Sequence, residues 1–332
     1  MSARLDAEDG STGSVAAASD AKAAPPVAWT ETRERSMLWV LRLMRWFAIT
    51  AGRSLARLVL HPITLYFVLA GPRVRRESAR YLARALGRPA RWLDTYRHFH
   101  TFAATILDRV YLLQERYDAF ELQPNGIAFM DEALAHGEGI FMVGAHMGSF
   151  EALRALGLQR GLRVAVVMYE DNARLINTTL AALAPHASLR TIALGRLDAM
   201  LELRQWLDAG GIAGMLGDRT LPGSSQRSRT AVLPFLGAPA RFSDGPFRLA
   251  AMLRRRVVFM AGLYLGGNRY ELRFSPLADF SAAQAGNRDA LVAEALARYV
   301  STLEELCREA PHNWFNFFDF WGDGAPASDE PG

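Results

Sequence analysis

From residue 126 onward, short β-prone apolar runs alternate with longer stretches of helical period. Gly139–Ala145, Leu162–Met168, Leu189–Leu194 and Gly211–Leu216 read as strands. Phe129–His136, Phe150–Gln159, Ala173–Leu183 and Arg196–Ala209 carry the helical pattern between or before them. This alternation predicts an α/β fold with a mostly parallel sheet flanked by helices. The C-terminal part adds a helix over Phe242–Leu253 and an antiparallel pair, Val257–Leu265 and Tyr270–Ser275, about Gly266-Gly267-Asn268, then a long helix Arg288–Ala310. In parallel sheets, functional groups gather at the carboxyl ends of strands. Three polar clusters stand at such ends here: His146, then Tyr169-Glu170-Asp171-Asn172, then Gly217-Asp218-Arg219.

The N-terminal pattern differs. Met37 to Leu60 reads as one helix on which Arg35, Arg42, Arg45, Arg53 and Arg57 share a sector of roughly 120°, with Trp39 and Trp46 along the same side. Arginines aimed at phosphates and tryptophans at headgroup depth predict a membrane-associated amphipathic helix, the alternative being a helix packed on the protein's own core. His61-Pro62 is expected to bend or end it, and Ile63–Ala70 adds a second apolar run before Gly71-Pro72. Neither run is an unbroken span of about 20 apolar residues, so a peripheral, monotopic or re-entrant anchor is expected rather than a regular transmembrane helix. Arg73, Arg75, Arg76, Arg80, Arg84, Arg88 and Arg91 follow at once and suit a membrane surface with anionic lipid on the cytoplasmic side. No nucleic-acid-binding motif accompanies them, so nucleic acid is not an expected partner. Trp92–Gln114 is a further amphipathic helix, whose His98 and His100 point to different faces and do not form a shared metal site.

Composition adjusts this picture in a few places. Of 332 residues, 50% are hydrophobic and 22% charged, with a formal net charge of +4, so the chain has material for a large core. Residues 1–27 hold almost no large apolar side chain and are expected to be a disordered tail without a secretory signal; residues 322–332 read as a loose tail. The single Cys307 excludes an intrachain disulfide and any cysteine metal cluster. No metal and no cofactor is expected.

The candidate chemistry centres on Gly139-Ile140-Phe141-Met142-Val143-Gly144-Ala145-His146-Met147-Gly148-Ser149-Phe150-Glu151. A strand ends at a histidine, a glycine follows, and Glu151 opens the next helix. A carboxylate on one imidazole nitrogen fixes the tautomer and leaves the other nitrogen as a general base. Glu151 in the first helical turn is expected to face back toward His146 in that role. Backbone N–H groups near Gly148, or the Arg219 guanidinium, are candidate donors to a developing oxyanion. Asp218 either holds an acceptor or positions Arg219, or simply closes a turn. Asp171 and Asn172 bind substrate or cap the following helix. Ser149 lacks a Gly-x-Ser-x-Gly elbow, which argues against a hydrolase triad. Between Pro311 and Trp321 lie six aromatics, which either cap the core or line an apolar channel.

These blocks together resemble the bacterial lipid A biosynthesis acyltransferases of the lysophospholipid-acyltransferase-like superfamily. His146-Met147-Gly148-Ser149-Phe150-Glu151 is similar to that family's His-x4-Asp/Glu catalytic motif, and Tyr169-Glu170-Asp171-Asn172 and Gly214-Met215-Leu216-Gly217-Asp218-Arg219 to its later strand-end blocks. Phe235-Leu236-Gly237-Ala238-Pro239-Ala240 with Gly245–Ala250 is similar to its glycine-containing loop and helix. The resemblance implies a membrane-anchoring segment over residues 28–72 and an acyltransferase domain over residues 73–321, at the cytoplasmic face of a bacterial inner membrane. It implies transfer of a fatty acyl group from acyl carrier protein or coenzyme A to a hydroxyl of a lipid or glycolipid acceptor. His146 would act as base and Glu151 as its orienter. Arg219 and the Phe317–Trp321 segment depart from the family pattern where a headgroup could be read, so an acceptor other than lipid A stays open. A thioesterase or lipid hydrolase with the same pocket and a noncatalytic lipid-binding protein are the alternatives.

Overall fold

The computed structural model describes residues 28–322, apart from 136, 170–189, 196, 220–229, 283 and 285. The helix expected over residues 173–183, the N-terminal tail and residues 323–332 of the C-terminal tail lie outside the described residues. From Leu41 on, the described residues form one compact unit.

Three helices come first: α1 (Ala28–Ala70), α2 (Pro72–Leu86) and α3 (Trp92–Leu112). After a single 3-10 turn come β1 (Glu121–Asn125), α4 (Ile127–Ala135), β2 (Phe141–Gly148), α5 (Phe150–Gln159), β3 (Val164–Tyr169), β4 (Arg190–Leu194), α6 (Leu197–Asp208) and β5 (Ile212–Leu216). The chain continues with β6 (Thr230–Phe235), β7 (Ala238–Ser243), α7 (Gly245–Met252), β8 (Arg256–Gly266), β9 (Arg269–Asp279) and α8 (Arg288–Glu309). Seven strands form one sheet in the order β1-β9-β8-β2-β5-β3-β4, parallel throughout except for the antiparallel β8–β9 pair. The expected α/β architecture is therefore the observed one.

Alternate residues of the central strands serve two cores. Phe141, Val143, Ala145 and Met147 of β2 join Val257, Phe259, Ala261 and Leu263 of β8 on one face, under residues of α2, α6, α7 and α8. Met142 of β2 with Val258 and Met260 of β8 face the other side, under residues of α1, α3, α4 and α5. Coverage on both faces is why these strands read as continuous apolar runs.

Three expectations are corrected. The helix at the N-terminus does not stop at His61-Pro62: α1 runs to Ala70 through Pro62, and its non-helical residue is Gly52, whose φ of 80° suits glycine. The Trp46–Ala70 part is thereby long and apolar enough to cross a membrane, by length and composition. Second, Arg53 and Arg57 do not point outward to phosphates. Arg53 forms a bidentate pair with buried Asp108 at 2.9 and 3.0 Å, and Arg57 bonds the Tyr264 hydroxyl and the Gly267 carbonyl. The reason is Asp108 itself, since a carboxylate with no solvent access requires a cation beside it. Third, Phe242 and Ser243 are not helical but end β7, which pairs with β6 in a separate two-stranded sheet.

The α1–α3 contact uses one stripe of α1. Ala56, Leu60, Thr64 and Val68 are buried at successive i+4 positions, a stripe that drifts by about 40° per step around the helix, and Ala48 is buried ahead of the break at Gly52. The Tyr111 hydroxyl on α3 bonds the Ala48 carbonyl, and His61 Nδ1 meets the Tyr96 hydroxyl at 2.7 Å, so the two helices run antiparallel. Trp46, Leu58, Tyr66, Phe67 and Leu69, off this stripe, are all more than half exposed.

Candidate active site

β2 delivers His146 to the end of the sheet, and the next residues turn the chain into α5. Gly148 takes a φ of +61°, and a Cβ there would lie 1.8 Å from the Gly262 carbonyl oxygen on β8. Only glycine combines that backbone with so close an approach. Ser149 is the N-cap of α5: its Oγ accepts the Ala152 N–H at 3.2 Å, and the residue is buried. That capping role, not nucleophilicity, accounts for a serine inside the motif.

The carboxylate on His146 comes from just past the end of β5, 72 residues further along the chain. Asp218 Oδ1 lies 2.8 Å from His146 Nδ1, and its Oδ2 accepts the His146 backbone N–H at 3.0 Å. Burial pushes the Asp218 carboxyl up. The charge of His146 and hydrogen bonds from its ring, from the Trp314 indole and from the His146 backbone outweigh that and hold it below the usual carboxylate range. An ionised Asp218 accepts, so Nδ1 carries the proton and Nε2 presents its lone pair. Nε2 has no partner among the described residues, and the His146 side chain keeps 34% of its surface exposed. A ring held at Nδ1 and open at Nε2 has a nitrogen at which a proton could be accepted.

Glu151 makes no hydrogen bond to His146. Its Oε1 lies 2.7 Å from Arg109 Nε on α3, although that N–H is not aligned on the oxygen, so the contact is one of charge. Its Oε2 is 3.4 Å from the Ser149 hydroxyl. The orienting position expected for Glu151 is thus held by Asp218, because the first turn of α5 faces α3 while β5 lies directly beside β2. The Gly148 N–H is also engaged, donating to the Asn313 carbonyl at 2.9 Å, and the Ser149 N–H donates to the Gly262 carbonyl at 2.8 Å. Neither is therefore free for an oxyanion. Arg219, next to Asp218, bonds the Phe315 carbonyl at 3.2 Å and lies over the Phe318 ring. Burial lowers its pKa, against the opposing effect of Asp218. Asp171 and Asn172 lie outside the described residues.

The segment after α8 closes the site from the other side. Met147 bridges to Trp314, and the Phe315 N–H donates to the His146 carbonyl at 2.8 Å. Trp314 and Phe315 are buried; Phe315 and Phe317 pack on Phe102, and Phe317 also on His98 and Phe99, while Phe320 packs on Phe235 and Phe242. The aromatic run therefore caps the core and ties α3 to the turn that carries His146. Behind that turn, Met142, Phe150, Leu153, Gly214 and Met260 line an apolar cavity of about 30 Å³. Among the described residues, no group of three or more His, Cys, Asp or Glu could hold a metal ion.

Sequence comparison returns a match to the family model of the bacterial lipid A biosynthesis acyltransferases over residues 35–322. No curated protein matches the chain.

Proposed function

Because the chain belongs to the bacterial lipid A biosynthesis acyltransferase family, we propose that its acyl transfer runs through His146 as general base and Asp218 as the carboxylate that orients it. The acyltransferase class follows from the family; the donor, acceptor and residue roles are our reading. The observation that carries it is the 2.8 Å His146–Asp218 pair at the carboxyl end of β2, with Nε2 open.

An acceptor hydroxyl gives its proton to Nε2 as its oxygen attacks the carbonyl carbon of an acyl thioester. The C–S bond of the resulting tetrahedral species breaks, and the thiolate leaves with the proton held on the imidazolium. Asp218 stabilises that imidazolium without taking its proton. Arg219 is the candidate cation for the oxyanion, since both donors expected at Gly148 and Ser149 are engaged. Glu151 and Arg109 together fix the start of α5 against α3. The donor is the thioester of acyl carrier protein or coenzyme A, and the acceptor a lipid or glycolipid hydroxyl. The exposed apolar side of Trp46–Ala70 supports work at a membrane, and the arginines of α2 support its anionic, cytoplasmic face.

The test is acyl transfer by purified protein from a radiolabelled acyl thioester to an extracted lipid pool. Wild type is expected to label a lipid, and His146→Ala to lose about 10³-fold or more in rate. A normally folded His146→Ala variant with near wild-type transfer contradicts the proposal, and release of free fatty acid without any labelled lipid would make the enzyme a thioesterase.

A further inference from the structure

The Asp218 carboxylate has a third partner, remote in sequence from both β2 and β5. Trp314 donates its indole N–H to Oδ2 at 2.9 Å, on the oxygen that also takes the His146 backbone N–H. The two donors occupy Oδ2 and turn Oδ1 toward the imidazole. Trp314 is itself fixed from every side. Its ring meets Tyr81, Phe235 and Phe320 edge-on, and its carbonyl accepts from His98 Nε2 at 2.9 Å. The residue before it is locked to β8, where Asn313 Oδ1 takes the Tyr264 N–H at 2.7 Å and its Nδ2 donates to the Tyr264 carbonyl at 3.2 Å. The indole N–H is therefore presented from a rigid wall, the condition under which a supporting contact transmits orientation.

We propose that Trp314 is a positioning residue for the acyl-transfer reaction, holding Asp218 in the rotamer that orients His146. This rests on the reading of His146 and Asp218 as the catalytic pair. A tryptophan buried only for packing needs its N–H satisfied by some acceptor, and any backbone carbonyl would serve. Here the acceptor is the one buried carboxylate on the histidine. Without the indole donor, negative charge on Asp218 is less stabilised and its rotamer is held only by His146 itself, through the backbone N–H and the ring.

The experiment replaces only the N–H. Site-specific incorporation of β-(3-benzothienyl)alanine at position 314 puts sulfur where Nε1 stands and keeps the ring's shape; Trp314→Phe is made beside it. The full chain is assayed for acyl transfer, with KM, kcat and the pH–rate profile recorded. Expected for the sulfur analogue are a kcat lower by about 10-fold, a KM within about twofold of wild type, and an acid limb shifted to higher pH, because a more basic Asp218 holds the imidazolium more strongly. An unchanged kcat overturns the proposal. So does a lowered kcat with an unmoved acid limb, which would leave Trp314 a packing residue. His146→Ala in the same assay keeps the two levels apart: if it abolishes transfer while the analogue behaves as wild type, the base assignment stands and the role of Trp314 falls.

Discussion

Removing the Arg53 guanidinium should detach the N-terminal helix energetically from the body of the protein. Asp108 on α3 is fully buried and Arg53 on α1 nearly so, with side-chain exposures of 0% and 19%. Arg53→Met deletes two charge-assisted hydrogen bonds and leaves Asp108 with the Tyr270 hydroxyl at 2.9 Å and Arg57 at 3.5 Å. Breaking a buried pair in this way costs about 3–5 kcal/mol, and Arg57 offsets part of it, so about 3 kcal/mol is expected. Replacing both partners, Arg53→Met with Asp108→Leu, removes the stranded charge and should recover all but about 1 kcal/mol. Burial already raises the Asp108 pKa, against the opposing pull of Arg53 and Arg57. Without Arg53 it rises further, so the native state binds the proton more readily than the unfolded chain, and the deficit of the single variant should shrink as pH falls toward that pKa. Urea unfolding in detergent micelles, followed by tryptophan fluorescence at several pH values, measures all three effects. A single variant within about 0.5 kcal/mol of wild type, or a double variant no better than the single, would mean that the Arg53–Asp108 pair does not anchor α1.

Other outcomes follow from the same geometry. His98 is buried between the Ser78 hydroxyl and the Trp314 carbonyl, and burial lowers its pKa to about 3. Because the unfolded residue titrates near 6.5, stability should be full above that pH and fall by about 1.4 kcal/mol per unit below it, toward pH 3. Thermal melts of His98→Asn across pH 4–7 should show a shallower slope. Gly262→Ala places a Cβ 2.3 Å from the Ser149 carbonyl oxygen without demanding a positive φ. It should cost about 1–3 kcal/mol by calorimetry and slow transfer by moving the catalytic turn. Glu151→Gln loses the charge contact with Arg109 and is expected to lower kcat by roughly 10-fold, less than Asp218→Asn, in the same steady-state assay.

The sheet and its helices were legible because burial on both faces writes apolar runs of the right length into the chain. Phe150–Gln159 has the expected bounds in the structure, and the long C-terminal helix differs by one residue. What the pattern concealed has local causes. β1 carries Pro124, and the β6–β7 pair carries Pro234 and Pro239, so these edge strands look like loop. Periodicity placed Arg53 and Arg57 on one sector of α1 correctly but could not show that α3 brings a buried carboxylate to that sector. The turn that carries His146, Gly148 and Glu151 was visible because strand, turn and helix are local. The partner of His146 was not, since the β2–β5 pairing that sets Asp218 beside it, and the later Trp314, are contacts between distant segments.

In the proposed reaction His146, oriented by Asp218, removes the acceptor's proton. The most direct measurement is the single-turnover rate of acyl transfer by Asp218→Asn across pH 5–9, with near-wild-type fold verified by circular dichroism. An amide at this position keeps the shape but offers the imidazole no anionic acceptor, and the expected result is a rate lower by about 10²- to 10⁴-fold with donor binding unchanged. A rate within about threefold of wild type over that range would mean that Asp218 does not orient the base.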